Sequence, residues 1–433
     1  MSDQLSRRNL LKLLGAGVGL AVAGPTLAAC APSGSTESSG GLSDDGVKQF
    51  PFTTWAANEA VTKEPLAALI SRYTGANGGT TIQTPSYPYN DYLNQLLLQV
   101  QGGQLKGAMQ LDVAWLATLA ATGKLADLGS VAAGQDYTDA ALALGRVDGK
   151  QVGLPWTQAG IGLIGNQEIL TRAGVSAPPR TVEEFEAALR AVKGLGGGIV
   201  PYAAMTKVDQ LKDIIAWMWT FGSPVVDSGR IVVDDEGSVA ALTWYKKLYD
   251  EKLIAADVNR VDARALMSQG KAAFYEDAIS GRAAVTKSST DSALGDKLRP
   301  LARPVRAAGD KPRHLAWGHV IAVVNAEGGA AAAQFAKTLT TDPAYSTEWF
   351  AKAGLPPTTR AGLAASDVQQ NAFAAAFSRE IAANSSAGPF WIHPQFSQME
   401  KVLAEKVQAA LIGRSSPKEA LTEAREQMSA LIK

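Results

Sequence analysis

Residues 173–185 read Ala173-Gly174-Val175-Ser176-Ala177-Pro178-Pro179-Arg180-Thr181-Val182-Glu183-Glu184-Phe185. Thr181 and Glu184 stand at capping-box spacing, where each side chain serves a backbone N–H the other end leaves unpaired. Phe185, Ala188, Leu189 and Val192 then recur at helical spacing, and Gly194 ends the run. A helix over this stretch, entered through an extended Pro-Pro segment, sets the pattern for both directions. Toward the amino terminus, Phe50–Trp55 reads as a strand and Pro65–Tyr73 as a helix. Thr80–Thr84 is the next strand; Asp91 reads as the cap of a helix carrying Leu93, Leu96, Leu97 and Val100, and Leu111–Leu116 as a buried strand. Toward the carboxyl terminus, Ile231–Val233 and Leu315–Val324 read as strands and Ser238–Leu253 as a helix. Asp342-Pro343 and Ser416-Pro417-Lys418-Glu419 read as helix starts. Strands and helices in alternation predict an α/β architecture with mainly parallel sheets.

Composition narrows the function. Lys plus Arg and Asp plus Glu each count 41, so no broad basic field exists for nucleic acid. One cysteine, Cys30, excludes an internal disulfide framework, and three histidines leave little material for zinc. No cofactor or metal is expected.

The first thirty residues read as an address. Arg7-Arg8 and Lys12 precede the apolar run Leu13–Ala23, and Leu27-Ala28-Ala29-Cys30 follows. This is the order of an export signal, and Pro25 with the glycines makes the run too short for the roughly 20 residues of a membrane span. The paired arginines resemble a twin-arginine signal, with Leu10 where that pattern most often has Phe. Leu27–Cys30 resembles the lipobox of bacterial lipoproteins, which implies lipid on Cys30 and anchoring to a membrane from the exported side. The Gly15–Gly19 run is no dinucleotide loop, since no strand precedes it and Leu20 takes the third glycine position. Cutting before Cys30 removes Arg7, Arg8, Lys12 and Asp3, which leaves 38 basic against 40 acidic residues. Residues 31–46 are small and polar, a tether.

Several segments, in order, resemble the extracellular solute-binding proteins of family 1, the sugar-binding lipoproteins of ABC importers. They include Trp55-Ala-Ala-Asn58-Glu59, Tyr92-Leu-Asn-Gln-Leu96, Leu111-Asp112-Val113 (with Leu111 where proline is usual) and Leu119–Leu128. Gly149–Pro155, Gly162–Asn166 and the opening stretch through Phe185 follow, then Gln269–Ala273, Gly354–Pro356 and Ser416–Leu421. The resemblance implies a two-lobed periplasmic-binding-protein-like fold (type II) whose lobes close on a ligand. It places residues 1–29 as signal, 30–47 as lipidated tether, 48–158 and 316–358 in lobe one, and 159–315 and 359–433 in lobe two. The implied partners are a sugar and the permease subunits of an ABC importer, with the binding protein a monomer.

Sugars present flat C–H faces, which suit aromatic rings, and hydroxyls, which suit carboxylates and amides. On this ground Trp55, Asn58, Glu59, Tyr87, Tyr89, Asp112, Trp115, Trp156, Trp219, Tyr275, Glu276, Trp317, Gly318 and His319 are the candidate ligand contacts. Each also fits an ordinary role: Glu59 a first-turn helix acid, Asp112 a cap, His319 a satisfied histidine, each tryptophan a core residue. Trp217 and Trp219, two apart on a helix, point to different sides, so at most one faces a cleft. Dispersed arginines argue for a neutral rather than a phosphorylated ligand. Adjacent acids such as Glu276-Asp277 lack a partner at glycosidase spacing, and no nucleophile elbow, zinc helix or phosphate loop occurs, so no catalytic residue is expected. A polyamine- or peptide-binding protein, or a carbohydrate-active enzyme, stays open as an alternative.

Overall fold

The structure, a computed structural model, describes residues 42–432; the export signal, Cys30 and most of the tether lie outside the described residues. Nine strands form the main sheet: β1 (Gln49–Thr53), β2 (Thr81–Gln83), β3 (Ala108–Asp112), β4 (Leu154–Asn166), β5 (Val200–Ala203), β6 (Ala272–Asp277), β7 (Leu298–Leu301), β8 (His314–Val323) and β9 (Ser385–Ser386). Their order is β2-β1-β3-β8-β4-β6-β5, with β7 also on β4 and β9 on β8.

Two strands carry the chain between lobes. The first half of β4 pairs with β8 from Leu154↔Ile321 to Ile161↔Leu315, and its second half, Gly162–Asn166, pairs with β6 and β7. One 13-residue strand therefore belongs to both halves of the molecule. Its glycines are dictated by packing: a Cβ on Gly162 would sit 2.3 Å from the Ile381 side chain, so only glycine lets the segment after helix Ala372–Glu380 lie this close.

The sheet is mixed, which corrects the expectation of mainly parallel pairing. β1 pairs parallel with β2 and β3, and β5 with β6, as βαβ units require. The crossing strands β4 and β8 instead run antiparallel to each other, β4 also to β6 and β7, and β8 to β3, while β8 pairs in parallel with the short β9.

Each lobe has its own aromatic core. In the first, Phe52 meets Phe335 at 5.3 Å and Trp156 stacks on Trp349 at 4.7 Å. In the second, Phe185 packs on Tyr202, Trp217 and Phe274 within 5.0–5.8 Å. The sequence-predicted caps at Thr181, Asp342 and Ser416 are present. Asp91 is not a cap: its helix is Tyr89–Gln101, and Asp91 sits in the first turn. The strand expected at Leu111–Leu116 is Ala108–Asp112, because Asp112 ends it by capping a 3-10 turn, Val113–Trp115. Ile231–Val233 contributes only the short pair Arg230–Ile231 of a hairpin. No helix among the described residues is long and apolar enough to cross a membrane.

Candidate ligand-binding cleft

The ends of β1 and β3 and the middle of β8 meet at one wall. After β1, Thr54 caps the turn Trp55–Ala57 by accepting from Ala56 N at 3.1 Å and donates its hydroxyl to Gln110 Oε1. That bond orients the Gln110 amide, so its Nε2 donates to His319 Nδ1 at 3.1 Å and the ring proton is assigned to Nε2. Burial lowers the His319 pKa to about 3, so the ring is neutral. At the end of β3, Asp112 does two jobs: Oδ1 accepts from Ala114 N at 3.0 Å, and Oδ2 accepts from the Tyr89 hydroxyl at 2.9 Å. Burial raises the Asp112 pKa, and the Ala114 and Tyr89 hydrogen bonds oppose that rise.

Trp55 is the hub of the aromatic cluster behind this wall. Its ring lies 4.8 Å from His319, 5.0 Å from Tyr92, 5.4 Å from Tyr89 and 5.5 Å from Trp115, each close to edge-on. Such edge-to-face contacts fix ring orientation as well as adding area. Trp55 and Trp115 are themselves buried, so they support the wall instead of presenting faces. The open surfaces are Tyr89, 42% exposed, and Trp317, half-buried at the crossing strands. Trp317 packs against all three hydrophobic clusters of the molecule, so it sits where the lobes join.

The opposing wall is charged. Lys212 pairs with Glu400 at 3.1 Å, and Glu400 also accepts from Trp391 Nε1 at 3.0 Å. Arg260 pairs with Asp213, and Arg264 holds Asp277 with two hydrogen bonds of 2.7 and 2.8 Å. Burial would lower the Lys212 pKa, but Glu400 and Asp213 hold it above its usual value. The walls face each other. Glu400 and Arg260 both act on the Tyr89 phenol, Lys212 and Glu400 on Asp112, and Arg264 on Glu59. They touch at both rims, where Thr118 donates to the Pro394 carbonyl at 3.0 Å and Lys287 to the Ala60 carbonyl at 3.4 Å. Tyr89 and Glu59 are open to water, yet crowding by protein raises both their pKa values.

Not all candidate contacts gather here. Trp55, Tyr89, Asp112, Trp115, Trp317 and His319 do, with Asn58 and Glu59 exposed just beyond the turn. Tyr87 packs on the helix after it and accepts from Gln99 Nε2 at 3.1 Å. Trp156 lies in the lobe-one core against Trp349, and Trp219 is buried with the Arg313 guanidinium over its face at 4.5 Å. Tyr275 and Glu276 are enclosed by neighbouring elements. Glu276 Oε1 lies 2.5 Å from Arg303 Nη1, a charge contact without hydrogen-bond alignment, and Arg303 in turn covers Trp217. Gly318 serves the hinge: a Cβ there would stand 2.5 Å from the Thr157 carbonyl oxygen of the paired strand. Trp156, Trp219, Tyr275, Glu276 and Gly318 are thus packed against neighbouring elements. Small cavities of about 180 Å³ and 150 Å³ lie elsewhere, beside Glu168 and Lys297 and behind the crossing strand at Gln158. Neither collects aromatic faces with carboxylates as the cleft does.

Lys212, Arg260, Arg264 and Glu400 escaped sequence reasoning. Glu400 had a readable signal: it falls on the buried stripe Phe396, Met399, Leu403, Val407 of its helix, where an acid needs a partner.

A two-lobed α/β body with crossing strands and a cleft between its walls defines the architecture of a solute-binding protein. The chain belongs to the bacterial extracellular solute-binding proteins, whose family model matches residues 68–376. It is 24% identical over 204 residues to a binding protein of Brucella abortus (strain 2308), an alignment covering 45% of this chain and 49% of the relative. The chain thus spans about half the length of the curated relatives it matches. The fold is MalE-like. Maltose-bound MalE3 of T. maritima superposes with a TM-score of 0.78 at 20% identity, covering 88% of this chain and 99% of that one. The GacH receptor of Streptomyces glaucescens, solved free and with acarbose, gives 0.78 at 21% identity, covering 89% and 98%. A solute-binding protein of Thermotoga lettingae bound to alpha-D-tagatose gives 0.78 at 18% identity, covering 89% and 100%.

Proposed function

We propose that this protein is the substrate-binding lipoprotein of an ABC importer and captures a neutral mono- or oligosaccharide between its lobes, without chemistry. The observation that carries this reading is the exposed Tyr89, whose hydroxyl donates to Asp112 Oδ2, together with the half-buried Trp317, whose ring lies 4.6 Å from that of His319. Rings take the C–H faces of a sugar, and Asp112 and Glu59 take hydroxyls. The sugars held by the similarly folded proteins of T. maritima and Thermotoga lettingae support the same class. Residues 48–158 with 316–358 are proposed as one lobe, and 159–315 with 359–433 as the other. Export through a twin-arginine-like signal, lipid on Cys30, monomeric delivery to a membrane permease and the absence of turnover complete the proposal.

A thermal-shift screen against sugars, polyols, amino acids, peptides and polyamines tests it. A ligand at one hundred times its Kd stabilises the folded state by about 2.7 kcal/mol. Saccharides are expected to raise the melting temperature; a rise with another class alone refutes the substrate assignment.

A further inference from the structure

Helix Pro343–Ala353 sends two neighbouring side chains in different directions. Trp349 stacks in the first core, while Phe350, the next residue, joins the separate cluster of Ile279, Val368 and Phe377. Helix Ala372–Glu380 lines the same space with Ala374 and Ala375, side chains too short to fill it. A cavity of about 150 Å³ is left between these elements and the crossing strand β4. Its walls come from both proposed lobes: Gln158, Phe350 and Pro356 from the first, Ile279, Val368 and Phe377 from the second.

The lining decides what fits. Among the described residues no charged side chain lines the cavity, so an ion would lie there unpaired. Its deep wall is apolar, with Ile279, Phe350, Val368 and Phe377 all buried. An apolar cavity of about 150 Å³ holds a molecule the size of benzene. The two phenyl rings in the wall suit a third ring. One polar group is free to meet such a guest. Gln369 Nε2 donates to the Leu363 carbonyl at 2.7 Å, and the Thr157 hydroxyl to the Pro356 carbonyl at 2.8 Å. The Gln158 amide, half-buried on the crossing strand, has no hydrogen-bond partner among the described residues. Gln369 and Ser378 are exposed, so the cavity opens on their side.

We propose that this cavity is a binding site for a small uncharged aromatic alcohol, its ring against Phe350 and Phe377 and its hydroxyl on the Gln158 amide. Phenol is the simplest member of the class. A sugar does not fit the same lining, because most of its hydroxyls would be buried without a partner.

NMR titration of the methyl-labelled chain with phenol, benzene and benzoate tests this. Phenol is expected to move the methyl resonances of Ile279, Leu363 and Val368, and benzoate, a charged analogue, to leave them in place. Ala375→Leu fills the cavity from its helix and is expected to abolish binding of phenol and benzene without lowering the melting temperature. Gln158→Leu is expected to weaken phenol about fivefold, the scale of one neutral hydrogen bond, and to leave benzene bound no less tightly. Methyl resonances that phenol does not move overturn the proposal, as does benzoate moving them equally. Phenol affinity unchanged in both variants overturns it too, and so do equal losses of phenol and benzene in Gln158→Leu, since the amide then recognises no hydroxyl.

Discussion

Glu276 offers the sharpest test of packing against ligand contact, because its two roles predict opposite phenotypes. Its side chain is 3% exposed and that of Arg303 1%, and the two charges meet at 2.5 Å. Glu276→Gln keeps the shape but leaves the Arg303 guanidinium buried with only Trp217 and the Arg313 carbonyl as neighbours of note. Breaking one side of a buried pair costs about 3–5 kcal/mol. Unfolding entropy of about 2.1 cal/mol/K per residue over about 390 residues amounts to about 0.8 kcal/mol/K, so the melting temperature is expected to fall by about 4–6 °C. Sugar affinity, measured by titration well below that temperature, is expected to stay within about twofold, since no ligand atom reaches this enclosed carboxylate. The double variant Glu276→Leu with Arg303→Met removes both charges and is expected to recover most of the loss, because paired apolar replacements of a buried ion pair are often near neutral. A Glu276→Gln protein that melts normally but loses affinity tenfold refutes the reasoning and restores Glu276 to the binding site.

Trp317→Ala is expected to weaken saccharide binding about tenfold or more while Trp317→Phe retains most of it, read by titration; unchanged affinity in the alanine variant removes Trp317 from the cleft floor. His314 and His319 are both lowered by burial to about 3, so below the unfolded value near 6.5 only the unfolded chain takes up protons at these two sites. Their contribution is fully present above that value and is lost as pH falls toward 3. Between pH 7 and 5.5 the two together are expected to cost about 2.5 kcal/mol of stability in urea titrations, with about half of the loss absent in His319→Gln. Gly318→Ala forces a Cβ to 2.5 Å from the Thr157 carbonyl, and the expected result is a loss of stability of about 1–3 kcal/mol, seen as a lower melting temperature before any ligand is added.

The fold was largely legible because its signals are local. A capping box at Thr181 and Glu184 needs only four residues, and Asp342-Pro343 and Ser416–Glu419 announce their helices the same way. What local pattern hides is strand direction. Nothing in Leu154–Asn166 says that the strand runs on past one partner to join others, or that it lies antiparallel to all of them. Those facts belong to pairs of distant segments. Strand ends suffer similarly: Leu111–Leu116 is continuously apolar apart from Asp112, and the strand stops there only because that carboxylate accepts from Ala114 N.

Part of the candidate site was legible, and the placements that sequence could not give have two causes. A tryptophan near a strand end says that a large ring is present, while its face is decided by pairing register, which a single sequence does not display. Trp156 and Trp317 stand on the paired strands β4 and β8, yet Trp156 turns into the lobe-one core and Trp317 joins all three clusters. The register between those strands shifts between His319 and Val320, so counting alternate positions across the crossing gives the wrong face on one side of it. Acids fail for a different reason. Glu276 and Asp112 both end apolar runs and look alike in sequence, but a buried carboxylate takes its role from whatever partner the fold brings. Arg303, arriving from after β7, neutralises Glu276, whereas Asp112 receives only the Tyr89 hydroxyl and a backbone N–H.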